Sequence, residues 1–313
     1  MSQPQLPAIG KIFDVVALGE AMVEFNQTCP GEPQYLQGFG GDTSNAAIAA
    51  ARAGARVAYL TRLGQDTFGD DLVALWRREG VDTRGIERDE AAPTGIYFVT
   101  HGAQGHEFTY RRAGSAASLM TPQWLPKEVV RAARILHVSG ISLAISQGAR
   151  DAVFAAIEEA RGAGALVSLD SNLRLKLWSL QDARAAITRA AGRCDLFLPS
   201  MEDALALSGH GAAESIVDWG HALGAPQVVL KLGRDGALVS DGQRRERIAG
   251  HAVTVADATG AGDCFCGNLL ARLAAGDSIF DAARYANAAA ALAVQGFGAV
   301  APLPRPDQVR ALL

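Results

Sequence analysis

The stretch DATGAGDCFCGN (257–268) contains the residue types that metal sites, thiol chemistry and phosphate binding require. Cys264 and Cys266 are separated by one residue, whereas zinc sites pair their cysteines at C-x₂₋₄-C spacing. The other cysteines and the histidine nearest in sequence do not complete a ligand set: Cys29, Cys194 and His251. No histidine lies within the motif to activate a thiol nucleophile. Two small buried thiols on a helix are therefore the favoured interpretation.

Phosphate binding fits the same stretch better. VTVADATG (253–260) ends a β-rich run and AGDCFCGNLLARLAAG (261–276) continues as a helix, so the glycines fall where a loop meets a helix. Gly260, Ala261 and Gly262 leave backbone N–H groups uncovered at a helix N-terminus, where peptide dipoles favour an anion. Asp263 either caps the helix or takes a proton from a hydroxyl that attacks a phosphoryl group, and the spacing favours neither.

Elements of two alternating types must position this loop. Continuous Val/Leu/Ile runs predict buried parallel strands at 14–20, 56–64, 135–141 and 165–172 and around Phe197 and Val229. Segments of helical period separate them, at 45–53, 69–79 and 148–161. This alternation predicts βαβ units with right-handed crossovers, hence an α/β fold with a mostly parallel central sheet.

One region, GIYFVTHGAQGHEFTYRRAGS (95–115), interrupts the alternation and predicts a hairpin. With a second β-rich segment it forms a small β-strand lid, from about 22–38 and 93–113. No repeat or Pro-rich linker divides the chain, so 1–313 is predicted to be a single domain. An exposed apolar lid face with Ile96, Phe98 and Phe108 would favour a homo-oligomer formed through the lids.

The composition excludes several functional classes. The chain has 313 residues, 49% hydrophobic content and a net charge of −4, which argues against nucleic-acid or anionic-membrane partners. No apolar run reaches membrane-spanning length. The start, MSQPQLPAIGKIF, lacks a secretion signal, and the four cysteines form no disulfide framework. A cytoplasmic location is expected.

DATGAGD resembles the C-terminal signature of the ribokinase-like (PfkB) carbohydrate kinases. GFGGDTSNAAIAAARAG (38–54) and YLTRLGQDTFGD (59–70) resemble the N-terminal part of that family, and the similarity extends from about Asp14 to the C-terminus. Neither a Walker A motif nor a clean G-x-G-x-x-G occurs, which disfavours P-loop and Rossmann proteins. The resemblance implies a three-layer α/β sandwich and ATP-dependent phosphorylation of a sugar hydroxyl.

The resemblance also implies roles for individual residues. Asp263 would be the general base, and the amides of Gly260, Ala261, Gly262 and Asp263 would hold the transferring phosphoryl group. VLKLGRDGA (229–237) is similar to the family's nucleotide segment, with Lys231, Gly233 and Gly236, although a strand and a tight turn would use the same glycines. Asn287 would approach the adenine, although a helical asparagine is also often satisfied locally.

Magnesium is expected with the nucleotide phosphates. The family often has Asn-x-x-Glu near the water shell of this metal, but the matching stretch here is PSMED (199–203). Ser200 replaces the asparagine and Glu202 alone is retained. We therefore expect Glu202 to reach the metal through water.

YRRAGSAAS (110–118) and LDSNLRLKLW (169–178) resemble the 2-keto-3-deoxygluconate kinase branch of the family. An arginine fork binds a carboxylate bidentately, so Arg112 and Arg174 could converge on the acid group of such a sugar. Strand alternation places Tyr110 and Arg112 on one face and Arg111 on the other. The resemblance implies further substrate contacts, with Glu20 a possible addition: Gly41, Asn45, Tyr97 and Asn172.

These observations together predict an ATP-dependent kinase that phosphorylates the terminal 6-hydroxyl of 2-keto-3-deoxygluconate. Kinases of fructose or of the galactonate epimer remain alternatives, because no residue pair distinguishes them. A catalytically silent sugar sensor and a nucleoside kinase are disfavoured, the first by an intact Asp263 and the second by the two arginines.

Overall fold

The computed structural model describes residues 11–102 and 105–313. Its strands are β1 Phe13–Leu18, β2 Met22–Gln27, β3 Tyr35–Gly40, β4 Val57–Gly64, β5 Val81–Asp82, β6 Ile86–Asp89, β7 Ile96–Gly102, β8 Gly105–Arg111, β9 Ala133–Ser139, β10 Leu166–Asp170, β11 Leu196–Phe197, β12 Gln227–Lys231, β13 Ala237–Ser240 and β14 Arg245–Ile248. Its helices are α1 Asp42–Arg52, α2 Thr67–Arg78, α3 Lys127–Arg131, α4 Gly140–Ala144, α5 Gln147–Gly162, α6 Leu180–Ala191, α7 Met201–Ser208, α8 Ala213–Ala222, α9 Ala261–Ala274, α10 Ile279–Ala293 and α11 Pro306–Leu312.

Within the described ranges, ten strands form one sheet, in the order β14-β13-β12-β11-β10-β9-β1-β4-β5 with β6 also paired to β4. The pairings from β12 to β5 are parallel, and β13 and β14 are antiparallel at one edge. The carboxyl ends of the parallel strands therefore share one edge of the sheet. Residues that follow β1, β9, β10 and β12 meet there, which is where ligands bind in open α/β sheets.

The central strand β1 shows why the fold has three layers. Val16 and Leu18 belong to one buried apolar cluster, on the side that α5, α6 and α8 cover. Val15 and Ala17 point the other way, into a cluster formed with α1, α2, α9 and α10. A strand with both faces buried must be a continuous apolar run, as FDVVAL is. The predicted three-layer α/β sandwich is confirmed.

A second sheet, of four strands in the described residues, has the order β3-β2-β7-β8. Its strands fall in the two segments expected to form the lid, and β7 and β8 pair as the predicted hairpin, with Tyr97 opposite Tyr110. We call this sheet the lid, and its face with Tyr97 and Tyr110 the inner face. The hairpin tip, 103–104, and residues 1–10, which include most of the stretch MSQPQLPAIGKIF, lie outside the described residues.

Two local predictions are wrong. The β-rich run that was expected to end at Gly260 is not a strand, because residues 251–258 pair with no neighbour as a ladder. The Asp257 carboxylate instead organises a loop, accepting hydrogen bonds from the Thr259 and Gly298 amides at 2.9 Å each. Helix α1 begins at Asp42, three residues before its predicted start, directly after Gly41 with φ +121°.

The predicted apolar lid face is also wrong in part. Ile96 and Phe98 do share a face, and Phe98 stacks on Phe25 at 5.4 Å between ring centroids. Phe108 lies opposite Val99 in the hairpin, so the antiparallel register places it on the inner face, 6.3 Å from the Tyr97 ring. The three side chains therefore do not form one surface.

Candidate active site

Asp263 lies in the first turn of α9, at the carboxyl edge of the large sheet. The helix begins at Gly260, which has the left-handed φ of +74°, and no side chain caps it. The Asp263 carboxylate accepts a hydrogen bond at 2.8 Å from the side-chain amide of Asn45, in the first turn of α1. Asp263 therefore does not act as the helix cap, and its half-buried carboxylate is held from the side by a second helix.

The surroundings of Asp263 favour its protonated form more than water does. Burial and the negative charge of Asp42 raise the pKa of Asp263 to about 7, against the opposing effects of the Asn45 hydrogen bond and the Lys231 charge. A carboxylate with a pKa near the working pH can both accept and release a proton. This is the electrostatic setting that a general base requires.

Asp42 is a site residue that was not predicted from the sequence. It is buried, and it accepts hydrogen bonds from the Thr43 amide and the Asn172 side chain, each at 2.8 Å. Burial raises the pKa of Asp42. Asn172 adopts a positive φ of 27°, unusual outside glycine, so this contact fixes a strained turn after β10. Asp42 stands inside the quoted GFGGDTSN motif, which is the signal that could have found it.

Lys231, at the end of β12, is close to the first turn of α9. Its ammonium lies 3.5 Å from where a Cβ on Gly262 would stand, and it forms a bidentate ion pair with Asp170 at 2.8 Å to each oxygen. Burial alone would lower the pKa of Lys231, but the charge of Asp170 raises it above its usual value. Asp170 was not predicted, although a carboxylate at the carboxyl end of a parallel strand was a usable signal.

The remaining predicted nucleotide residues have structural contacts that do not involve a ligand. Gly236 has φ +92°, and a Cβ there would meet the Ile248 carbonyl at 2.0 Å, so the turn after β12 requires glycine. Gly233, with φ +59°, opens the same turn. Asn287, on α10, donates to the Ala249 carbonyl at 2.6 Å, which fits a residue that braces this loop. The Ala261 amide donates to the Ala258 carbonyl at 3.2 Å, so it is partly engaged.

The predicted metal residue lies at the start of α7. Glu202 is exposed in the first turn of α7, where the neighbouring Ser200 caps the helix by accepting from the Asp203 amide. Across the described ranges, no three His, Cys, Asp or Glu side chains form a group that could hold a metal ion.

The inner face of the lid carries two tyrosines, Tyr97 and Tyr110, and the negative charge of Asp263 contributes to the raised pKa of Tyr97. The Tyr97 hydroxyl donates to Glu24 at 2.5 Å, and the Tyr97 and Tyr110 rings lie 5.6 Å apart. Arg112 follows β8, with its guanidinium 5.6 Å from the Tyr110 ring centroid. Tyr97, Tyr110 and Arg112 therefore lie together, as the alternation predicted.

The positive charges of Arg112 and Arg174 both lower the pKa of the Tyr110 hydroxyl. Burial raises the pKa of Tyr110, and the positive charges of the two arginines oppose that rise. Arg174 is exposed and donates to the Leu173 carbonyl at 2.9 Å. Arg112 forms an ion pair with the buried Glu20. The structure thus places Arg112 against Tyr110, whereas Arg174 influences this tyrosine only through its charge.

Gly41 joins the lid to α1 and has no room for a side chain. A Cβ at this position would meet the Glu20 carbonyl oxygen at 2.4 Å, and its φ of +121° is one that other residues rarely adopt. A cleft of about 1320 Å³ opens beside this junction, between the inner face of the lid and the loops 255–259 and 297–301. Its lining includes Glu24 and Val99, so it adjoins the tyrosines, with room for a small ligand.

The geometry combines a helix N-terminus with glycines, a carboxylate with a raised pKa, an adjacent lysine and a lid that covers the sheet edge. Together with the three-layer fold, these features define a ribokinase-like phosphotransferase. No helix in the described residues is both long and apolar enough to cross a membrane.

Comparison with known proteins agrees with this class. The profile of the pfkB family carbohydrate kinases matches residues 13–306. The chain belongs to the PfkB family of carbohydrate kinases.

Individual relatives divide between two substrate classes. The chain is 33% identical to probable fructokinase-4 of Arabidopsis thaliana, over 96% of each chain. It is 32% identical to the 2-dehydro-3-deoxygluconokinase of Bacillus subtilis, over 96% of this chain and 95% of the relative. A structure from E. coli described as a ribokinase II in complex with ATP and Mg²⁺ superposes with a TM-score of 0.88 at 27% identity, covering 95% of this chain and 98% of the other.

Proposed function

We propose that this carbohydrate kinase transfers the γ-phosphoryl group of ATP to the terminal 6-hydroxyl of 2-keto-3-deoxygluconate. The main support is that the positive charges of Arg112 and Arg174 both lower the pKa of Tyr110, on the inner face of the lid, against the effect of burial. A neutral sugar does not require two cations at this place, whereas a sugar acid does. The relative from Bacillus subtilis, named for the same substrate, adds support.

Asp263 takes the proton of the 6-hydroxyl as its oxygen attacks the γ-phosphorus. The new P–O bond forms while the bond from phosphorus to the ADP oxygen breaks, and ADP leaves with the bonding electron pair. The amides of residues 260–263, of which that of Ala261 would have to turn from the Ala258 carbonyl, and the Lys231 ammonium would stabilise the charge on the phosphoryl oxygens. Asn45 holds the Asp263 carboxylate in a fixed orientation.

ATP and Mg²⁺ are the expected cosubstrate and metal, as in the E. coli structure. When bound, the metal would neutralise negative charge on the phosphates, and Glu202, which is exposed in the first turn of α7, would reach it through water. The turn containing Gly233 and Gly236, together with Asn287, would form the nucleotide side. The lid would exclude water, which otherwise accepts the phosphoryl group.

A fructose kinase is a second candidate, because relatives named as fructokinases match the chain at the same level of identity. The ion pair between Arg112 and Glu20 also favours it, since it offsets one of the two cations. Under this alternative the base and the anion-binding amides keep their roles.

The deciding experiment measures ADP release by the purified protein with ATP and Mg²⁺. The acceptors are 2-keto-3-deoxygluconate, its galactonate epimer, fructose, ribose and adenosine, each offered separately. We expect kcat/KM to be highest for the gluconate acid. A preference for fructose would replace the proposed substrate, and no turnover on any acceptor would favour a sugar sensor.

Variants of the two arginines test the same assignment. Arg112→Ala and Arg174→Ala should raise the KM for the keto acid far more than the KM for ATP. Normal keto-acid binding in both variants would contradict the carboxylate assignment.

We also infer a homo-oligomer that forms through the lid, in a cytoplasmic protein. The lid exposes apolar side chains, including Leu36 at 68% and Phe108 at 36%, and all four cysteines are free. Analytical ultracentrifugation tests this inference, and a Leu36→Lys variant should shift the protein toward the monomer. A wild-type monomer at micromolar concentration would contradict it.

A further inference from the structure

The two substrate-side arginines differ in their charge balance. Arg112 forms an ion pair with Glu20, which is 1% exposed, and its own side chain is 13% exposed. In residues 11–102 and 105–313, Arg174 has no acidic side chain within ion-pair distance. Arg112 thus has a counter-ion in direct contact, whereas Arg174 interacts with a carboxylate only at longer range, through its charge on Asp42.

Glu20 has little freedom to leave Arg112. It follows β1 by two residues, and its second carboxylate oxygen accepts a hydrogen bond from the Ser115 hydroxyl at 3.1 Å. That same oxygen lies 3.2 Å from where a Cβ on Gly95 would stand, so the pocket around it is full. Burial raises the pKa of Glu20 and the Arg112 charge opposes that rise, which is the behaviour of a buried ion pair.

Arg112 nevertheless keeps hydrogen-bonding capacity. Its Nε atom is buried and has no partner in the structure. A guanidinium presents five N–H donors, so the ion pair with Glu20 does not use all of them. Arg112 can therefore donate to an uncharged oxygen of a ligand while its positive charge is offset by Glu20.

We propose that Glu20 is a specificity-determining residue, which sets the preference of the site between acidic and neutral sugars by acting as the internal counter-ion of Arg112. Arg174 then supplies the net attraction for a substrate carboxylate, and Arg112 mainly positions the ligand. The identity of the acidic sugar, 2-keto-3-deoxygluconate, rests on the proposed function. The expectation that Glu20 shifts the preference toward neutral sugars does not depend on that identity.

The test measures kcat/KM for 2-keto-3-deoxygluconate and for fructose. The quantity compared between proteins is the first value divided by the second, called the acid-to-neutral ratio. Four proteins join the wild type: Glu20→Gln, Arg112→Gln, the double variant, and Arg174→Gln as the matched control. Gln keeps the size and the hydrogen-bonding oxygen of Glu20 while removing its charge. If one of the two sugars is turned over too slowly to assay, it is tested as an inhibitor of the reaction with the other sugar. Its inhibition constant is then used in place of its kcat/KM.

Glu20→Gln should raise the ratio about tenfold, because one positive charge at the site is no longer offset. Arg112→Gln should lower it by about as much, since Glu20 then repels the acid without compensation. The double variant should return to within about threefold of the wild-type ratio. Arg174→Gln, in which the Arg112–Glu20 pair is intact, should also lower the ratio.

Two results would overturn the proposal. One is an unchanged or lowered ratio in Glu20→Gln, and the other is a double variant as poor toward the acid as Arg112→Gln. Breaking a buried ion pair destabilises a fold more than replacing both partners does, so the double variant is the safer protein. If a single variant does not fold, the double variant alone decides: a ratio more than tenfold below the wild type rejects the counter-ion role.

A wild-type preference for fructose would reject the proposed substrate and leave this test intact. The shift caused by Glu20→Gln is measured relative to the wild type, whichever sugar that protein prefers. Failure of the proposed function and failure of this inference therefore give different results.

Discussion

The carboxyl edge of the large sheet and the inner face of the lid differ in how their polar groups are held. At the sheet edge, Asp263 and Asp42 each bond a side-chain amide from another element, and Asp170 forms a bidentate ion pair with Lys231. On the lid, Tyr110 and Phe108 are each 36% exposed and contact mainly other rings. The proposed function would thus place the chemistry on the more buried core and part of the recognition on the less buried lid. We expect replacements at the first region to change kcat and those at the second to change KM.

The largest expected effect tests the core side of this comparison. Asp263→Asn should lower kcat about 10³-fold, because the amide cannot take the proton of the attacking hydroxyl. The KM for the sugar and the melting temperature should change little. Steady-state kinetics and calorimetry measure these quantities, with Asp307→Asn, an exposed carboxylate on α11, as the charge-matched control. Turnover within tenfold of the wild type would reject the base role.

A smaller effect tests the lid side. The Tyr97 hydroxyl donates to Glu24, so it has only acceptor capacity left for a sugar hydroxyl. Tyr97→Phe should raise the KM for the sugar about two- to tenfold, the value of one hydrogen bond, and leave kcat nearly unchanged. If kcat fell while KM stayed constant, the division between core and lid would be wrong.

The smallest effect at neutral pH concerns Asp42. Because Asp263 must be ionised to act as the base, kcat/KM should fall as the pH drops below about 7. Asp42→Asn removes a negative charge that raises the pKa of Asp263, so this acid limb should move to lower pH. At pH 7 about half of Asp263 is already ionised in the wild type, so the rate there should rise by no more than about twofold.

The acid limb is read from kcat/KM measured between pH 5 and 9. The other groups that act on Asp263 are Asp170 and Lys231. Lys231 should stay charged through this range, since the charge of Asp170 raises its pKa. An acid limb that stayed in place in Asp42→Asn would show that Asp42 does not set the pKa of the base.

The fold was predictable from local patterns because each strand and helix has its own signature. The continuous apolar run of β1 indicated a strand that is buried on both faces. The alternating pattern of β7 and β8 indicated strands that are buried on one face. The start of α9 at the glycines was also predicted. Phe108 was assigned to the wrong face although the alternation within β8 already places it with Tyr110, because the three apolar side chains were grouped by type and not by position along the strands.

The site was predictable only where a motif places its residues together. Gly260, Gly262 and Asp263 are neighbours in sequence, so their shared role could be inferred. Lys231 and Asp170 are 61 residues apart, and Arg112 and Glu20 are 92 apart. Such pairs form when different strands end at the same sheet edge, and one sequence does not show which side chains then meet.

The junction at Gly41 joins recognition to chemistry along the backbone. Strand β3 of the lid ends at Gly40, and α1, which positions Asp42 and Asn45, begins one residue after Gly41. The adjoining Gly40 is equally confined, since a Cβ there would meet the Tyr97 hydroxyl at 2.3 Å. With a single residue between them, a tilt of the lid is expected to move the start of this helix. In the proposed mechanism, closure of the lid would therefore also shift Asn45, whose side-chain amide holds the Asp263 carboxylate.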